Sequence, residues 1–257
     1  MRSENQRCFI EISYHGGKYH GWQLQKNAVT VQETLDKALS TLMRKDIKTL
    51  GCGRTDTGVH ARQLFAHFDC LKTDVDQKFD SLSKSLNAIL PKDIAVRNLF
   101  PVPANFHARF DALSRSYEYH IHFRKDPFLD GLSWQLRDYP DIFKMNAAAE
   151  IMMEYEDFSC FSKSHTQVST NICKIYRAEW VQKEKGSLVF HITANRFLRN
   201  MVRAIVGTLV EIGLNKKPVE SIRTTIESKD RSVAGVSVPA DGLYLTEVRY
   251  PNFNSAT

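Results

Sequence analysis

Pro101-Val102-Pro103 puts two prolines within three residues. No helix or central strand passes easily through such a stretch, because proline fixes φ and offers no N–H. On both sides of it the apolar periodicities run in the same order. Before it, strands are predicted over 8–14, 47–52, 63–70 and 94–99, with Leu64, Ala66, Phe68 and Cys70 alternating on one face of the third. Thr30 followed by Glu33 is a capping box, after which Val31, Leu35, Ala38, Leu39, Leu42 and Met43 recur at helical spacing. A second helix is predicted from Asp80 to Leu90, ending before Pro91. The order β-α-β-β-α-β is that of a split βαβ unit.

The later stretch repeats that order. Ser114–Phe123 alternates strictly, with Tyr117, Tyr119, Ile121 and Phe123 on one face. A helix is predicted over Ile142–Glu154 with Met145, Ala148, Ala149 and Met152 buried, then a hairpin of 171–182 and 187–193 turning at Glu184-Lys185-Gly186. Leu198, Met201, Val202, Ile205, Val206, Leu209 and Val210 mark the strongest helix, with Gly213 as its cap. Its opposite face is expected to carry Arg196, Arg199, Asn200 and Arg203. That face reads either as solvated or, beside Gly207, as a surface that a partner approaches closely. A shorter helix over 218–228, a loop over 234–242 and a last strand over 243–249 complete a second β-α-β-β-α-β unit with one extra helix. The expected division is therefore an N-terminal α+β half, 1–103, and a C-terminal one, 104–257. No residue-level repeat links them.

Composition narrows the function classes. Lys and Arg outnumber Asp and Glu by 35 to 29, a net charge of +6 that is mild for a nucleic-acid binder but of the right sign. The most apolar run, 201–213, holds Arg203 and Glu211, and no apolar leader precedes the first strand, so a cytosolic chain without a membrane span is expected. Five widely spaced cysteines, odd in number, and scattered histidines predict reduced thiols and no metal site.

The stretch most loaded with chemistry is Gly51-Cys52-Gly53-Arg54-Thr55-Asp56-Thr57-Gly58-Val59-His60-Ala61. A carboxylate flanked by glycines and next to a guanidinium suits a nucleophile better than a proton donor, while Asp-Thr-Gly is equally a good turn sequence. Upstream, residues 14–23 hold three glycines among aromatic and polar groups. They read equally as a binding loop and as a connection that Trp22 anchors to the core.

Read together, Gly21-Trp22-Gln23-Leu24-Gln25, Gly53 to Ala61, Phe106-His107-Ala108-Arg109-Phe110, Arg115-Ser116-Tyr117-Glu118-Tyr119, Met201-Val202-Arg203 with Ile205-Val206-Gly207, and Pro239-Ala240-Asp241-Gly242-Leu243 resemble the tRNA pseudouridine synthase A family, in family order and over nearly the whole chain. The sequence departs from the family at His15, where Asp is commoner, and at Ser237-Val238. The resemblance implies an α+β pseudouridine synthase fold: two ferredoxin-like halves joined through a central, mostly antiparallel sheet, with a cleft between them. It implies an enzyme that isomerises uridines of the tRNA anticodon stem-loop (positions 38–40), as a cytoplasmic homodimer with no cofactor and no metal. Carried onto this chain, Asp56 resembles the nucleophile and Arg54 its positioning neighbour. Tyr117 corresponds to the ring that packs on the target base, Arg203 to the basic partner of the aspartate and Leu243 to an apolar wall. Tyr117 on periodicity alone is equally a core aromatic. Arg196 and Arg199 are expected to contact phosphate.

Two other readings compete. Asp56-Thr57-Gly58 is also the active tripeptide of aspartic peptidases, but those need two carboxylates sharing a proton, and only a symmetric dimer of this chain would supply the second. The same basic and aromatic surfaces would also serve a non-catalytic RNA-binding module.

Overall fold

The computed structural model describes residues 5–75, 78–163, 170–183 and 186–251, which form two compact units. The first is Met1–Leu113 with Leu245–Thr257, and the second is Ser114–Tyr244. The chain therefore leaves the first unit after Leu113, and the diproline expected to mark the border lies inside that unit.

In the first unit, β1 (Asn5–Tyr14), α1 (Val31–Met43), β2 (Leu50–Gly51), β3 (His60–Leu71), α2 (Lys72–Val75), α3 (Phe79–Ile89) and β4 (Ile94–Val102) follow in order. The strands pair antiparallel as β4-β1-β3-β2, the arrangement of a split βαβ unit. Pro101 is accommodated because, among the described residues, β4 pairs on its β1 side alone, with Pro101 opposite Cys8. On that same strand Asn87 of α3 bonds both backbone groups of Val96, at 2.9 and 2.7 Å, and so covers the edge.

Thr30 caps α1 through the Glu33 N–H at 3.2 Å, as its sequence predicts. The strand expected over 47–52 shrinks to Leu50–Gly51 because backbone groups before it bond to α1 side chains. The Ile47 N–H donates to Ser40 Oγ, and Thr49 donates both N–H and hydroxyl to Asp36. Burial pushes the Asp36 carboxyl up, and these bonds pull it back. Phe9, Ile10, Ile12, Leu35, Leu39, Leu64, Phe68 and Leu86 form the core. Each contributes about 1.5–3 kcal/mol by leaving water.

The second unit contains β5 (Ser114–His122), β6 (Trp134–Gln135), α4 (Ile142–Met152), β7 (Ile175–Gln182), β8 (Leu188–Ala194), α5 (Met201–Gly213) and α6 (Ser221–Ser228). The first two residues of β9 (Leu243–Arg249) also belong to it. β5, β8 and β7 pair antiparallel, and short β6 joins β5 in parallel. The buried stripe of α4 is Met145, Ala148, Ala149 and Met152, as the periodicity predicts. The β7–β8 hairpin forms, closed by the Lys183 N–H on the Ser187 carbonyl at 2.8 Å; Glu184 and Lys185 at its tip lie outside the described residues.

α5 differs from its sequence reading in two ways. It starts at Met201, because Asn200 takes a left-handed φ of 68°. Arg196, Arg199 and Asn200 therefore precede the helix, and of the four polar residues expected on one helical face only Arg203 is helical. Nor is Gly213 the left-handed cap; that conformation falls to Asn215, φ 59°. Gly213 is needed for packing, since a Cβ there would lie 2.7 Å from Met145 Cγ.

Candidate active site

The loop carrying Asp56 is held from below by the glycine-rich segment 14–22. A Cβ on Gly16 would lie 2.0 Å from the Val59 carbonyl oxygen, and one on Gly21, whose φ is +85°, would lie 2.3 Å from that of Thr55. Only glycine allows such contact between two backbones. The Trp22 N–H donates to the Thr55 carbonyl at 3.3 Å, the Gly58 N–H to the Tyr19 carbonyl at 3.3 Å, and the Gly16 N–H to His60 Nδ1 at 3.0 Å. Trp22 is buried with its indole against Gly51, so this residue is an anchor.

Within the loop, the Val59 N–H returns to the Asp56 carbonyl at 3.1 Å, and Gly58 has φ +82°. A positive φ at the third position is that of a type II turn. The turn reading and the site reading of Asp56-Thr57-Gly58 are thus compatible, because the turn presents the carboxylate. Arg54 and Thr57 are exposed and Asp56 is half-buried, whereas Thr55 between them is buried. A Cβ on Gly53 would meet nothing within 4 Å among the described residues, so they leave the face beside Arg54 open.

Of the residues predicted in the second unit, Arg203 and Leu243 border the loop before β9. Tyr117, half-buried on β5 opposite Ile192, stands edge-on to Phe197 with ring centroids 5.1 Å apart. Arg203 Nε donates to the Val238 carbonyl at 2.7 Å, and the Val238 N–H returns to the Arg203 carbonyl at 3.3 Å. The close approach foreseen at Gly207 is made by this chain itself, since a Cβ there would lie 1.9 Å from the Val236 carbonyl oxygen. Leu243 is buried, with its N–H on the Ala240 carbonyl, and the Tyr119 hydroxyl donates to the Pro239 carbonyl at 2.8 Å. Burial pushes the Tyr119 phenol far above its ordinary range and raises the Asp241 carboxyl, against which Arg203 acts. Arg196 is half-buried and Arg199 exposed, in the turn leading into α5.

Arg54 and Asp56 therefore share one loop of the first unit. Arg203 and Leu243 flank one loop of the second, while Tyr117 packs on Phe197, which follows Arg196 and lies two residues before Arg199 in the chain. The sequence reading missed Tyr14 and Thr55, whose hydroxyls meet at 2.7 Å, as well as Phe197 and the Tyr119–Pro239 contact. Among the described residues no three or more His, Cys, Asp or Glu side chains converge to hold a metal ion, and no helix is long and apolar enough to cross a membrane.

Residues 11–111 and 154–251 match the family model described as tRNA pseudouridine synthase, which is more than half of the chain. The chain belongs to the tRNA pseudouridine synthase family. Its relatives named tRNA pseudouridine synthase A include one from Porphyromonas gingivalis, 48% identical over 247 residues, covering 96% of this chain and 98% of that one. Another, from Bacteroides fragilis, is 48% identical over 246 residues, covering 96% and 97%. A third, from Ruminiclostridium cellulolyticum, is 39% identical over 245 residues, covering 94% and 98%. The family-matched segments contain Arg54, Asp56, Arg196, Arg199, Arg203 and Leu243, while Tyr117 lies between them. As a tRNA pseudouridine synthase the chain is an isomerase, and both the aspartic peptidase and the non-catalytic RNA-binding readings fall.

Proposed function

We propose that this chain converts uridines of the tRNA anticodon stem-loop, at positions 38–40, to pseudouridine, with Asp56 as nucleophile. The observation that carries the proposal is the mounting of Asp56: a half-buried carboxylate on a type II turn whose neighbours are fixed by backbone contacts to residues 16–22. The reaction breaks the C1'–N1 bond, turns the base and forms a C1'–C5 bond. N1 gains a proton and C5 loses one to water. A preorganised carboxylate suits this, because the base must be kept in place between cleavage and rejoining.

The target uridine first leaves the stack, at a cost of a few kcal/mol. Stacking on Tyr117, worth about 1–3 kcal/mol, offsets part of it, with Leu243 as the apolar wall. Arg54 on its open face, and Arg203, tethered through Nε to Val238, supply guanidinium groups for phosphate or carboxylate. Arg196 and Arg199 contact the tRNA backbone. The enzyme works as a cytoplasmic homodimer without metal or cofactor.

Mapping pseudouridine in unmodified tRNA transcripts after incubation with the protein tests the reading. Modification confined to positions 38–40 is expected. Modification elsewhere in the tRNA overturns the anticodon-arm assignment.

A further inference from the structure

Thr55 is the buried residue in an otherwise accessible run, with Arg54 and Thr57 exposed on either side and Asp56 half-buried. It is gripped at two points. Its carbonyl accepts the Trp22 N–H at 3.3 Å, and its hydroxyl meets the Tyr14 hydroxyl at 2.7 Å, both side chains being buried. Tyr14 is the last residue of β1, and its setting is not that of a regular ladder. Ile12 faces Leu64 but Tyr14 faces Ala61, so β3 spends one extra residue between these pairs. Such a bulge re-aims the side chains around it and is frequent beside active sites.

We infer that the Tyr14–Thr55 hydroxyl pair is a latch that sets the direction of the Asp56 carboxylate, an inference that rests on Asp56 being the nucleophile. Holding Thr55 by both its carbonyl and its side chain fixes the peptide that joins it to Asp56. The Asp56 carbonyl is in turn held by the Val59 N–H at 3.1 Å. These fixed points on either side restrict the Asp56 backbone and, with it, the direction of the Cα–Cβ bond. Tyr14 is buried with its hydroxyl on Thr55, so its effect on the reaction passes through the loop. Tyr14 is a positioning residue, not a catalytic one.

The test is single-turnover tritium release from tRNA carrying 5-tritiated uridine, with Tyr14→Phe, Thr55→Val and the double variant, alongside tRNA binding and thermal melting. Each single variant removes the same hydrogen bond and keeps the side-chain shape. The rate constant is expected to fall roughly 10- to 100-fold in each single variant, the scale on which displacement of a reacting group by about 1 Å acts. The tRNA dissociation constant should stay within about 2-fold, and the double variant should lose less than the product of the two single effects, because the shared hydrogen bond is lost in all three. An unchanged rate in folded Tyr14→Phe overturns the latch, even with a lowered melting temperature; so do losses that multiply in the double variant. If Tyr14→Phe does not fold, Thr55→Val decides by the same criteria. Absence of release by the wild type is a different result, which removes the synthase chemistry on which the latch rests.

Discussion

Gly21 and Gly53 look alike in the sequence, each beside a polar or aromatic residue of a loop, yet the fold asks opposite things of them. At Gly21 an L side chain would adopt φ +85°, costing about 1–2 kcal/mol, and its Cβ would sit 2.3 Å from the Thr55 carbonyl oxygen. That oxygen is backbone and is held by the Trp22 N–H, so relief requires moving the loop itself, a further 1–3 kcal/mol or so by the scale of overpacked sites. Gly21→Ala should therefore destabilise the first unit by roughly 2–5 kcal/mol. With a urea slope of about 3 kcal/mol per M, the midpoint falls by roughly 1 M. Gly53 meets nothing within 4 Å and has no positive φ, so Gly53→Ala should match the wild type or gain up to about 1 kcal/mol from a stiffer unfolded chain. Urea denaturation followed by circular dichroism compares the pair directly. A Gly21→Ala midpoint equal to or above that of Gly53→Ala would refute the packing of segment 14–22 under the Asp56 loop.

Two further outcomes follow from charges. Burial, and then the nearby Arg7, hold the His67 imidazole down at about 4 against an ordinary 6.5, with the Ala108 N–H on its Nδ1 at 3.2 Å. The folded state thus refuses a proton that the unfolded chain accepts, so the contribution of His67 is whole above pH 6.5 and is lost as pH falls toward 4. It amounts to about 3 kcal/mol, and His67→Gln should reduce the slope of stability against pH in that window; an unchanged slope in equilibrium unfolding contradicts it. Arg199 is exposed in the turn before α5, and Arg199→Ala should reduce the slope of log K for tRNA binding against log salt by roughly one, which anisotropy titrations at several salt concentrations would read; an identical slope removes it from the RNA contact.

The fold was legible wherever one period ran uninterrupted. The α4 stripe and the limits of β9 agree with the structure, and in α4 the reason is that its apolar side chains meet one face at helical spacing. Reading failed where a side chain replaced a ladder or a backbone changed hand. Ser40 and Asp36 take the N–H groups of Ile47 and Thr49, which removes most of a strand that its apolar residues promise. Asn200 turns left-handed, yet Leu198 before it keeps the apolar spacing of α5, so the arginines beside it appear helical in the sequence and are not. For the site, the glycines around Asp56 announce an accessible turn, but the partners that hold it are distant in the chain. Tyr14 and Thr55 are separated by 41 positions, and no spacing rule connects two hydroxyls across that interval. Arg203 became a candidate only through the family resemblance. Its tether to Val238 shows why periodicity could not single it out, since the loop it holds is irregular.

Tritium release from tRNA carrying 5-tritiated uridine, compared between the wild type and Asp56→Asn, bears most directly on the central claim, because C5 loses its hydrogen only if the base is detached and rejoined. Release by the wild type and none by Asp56→Asn, with tRNA binding retained, is the predicted result; release at the same rate from both would contradict Asp56 as the nucleophile.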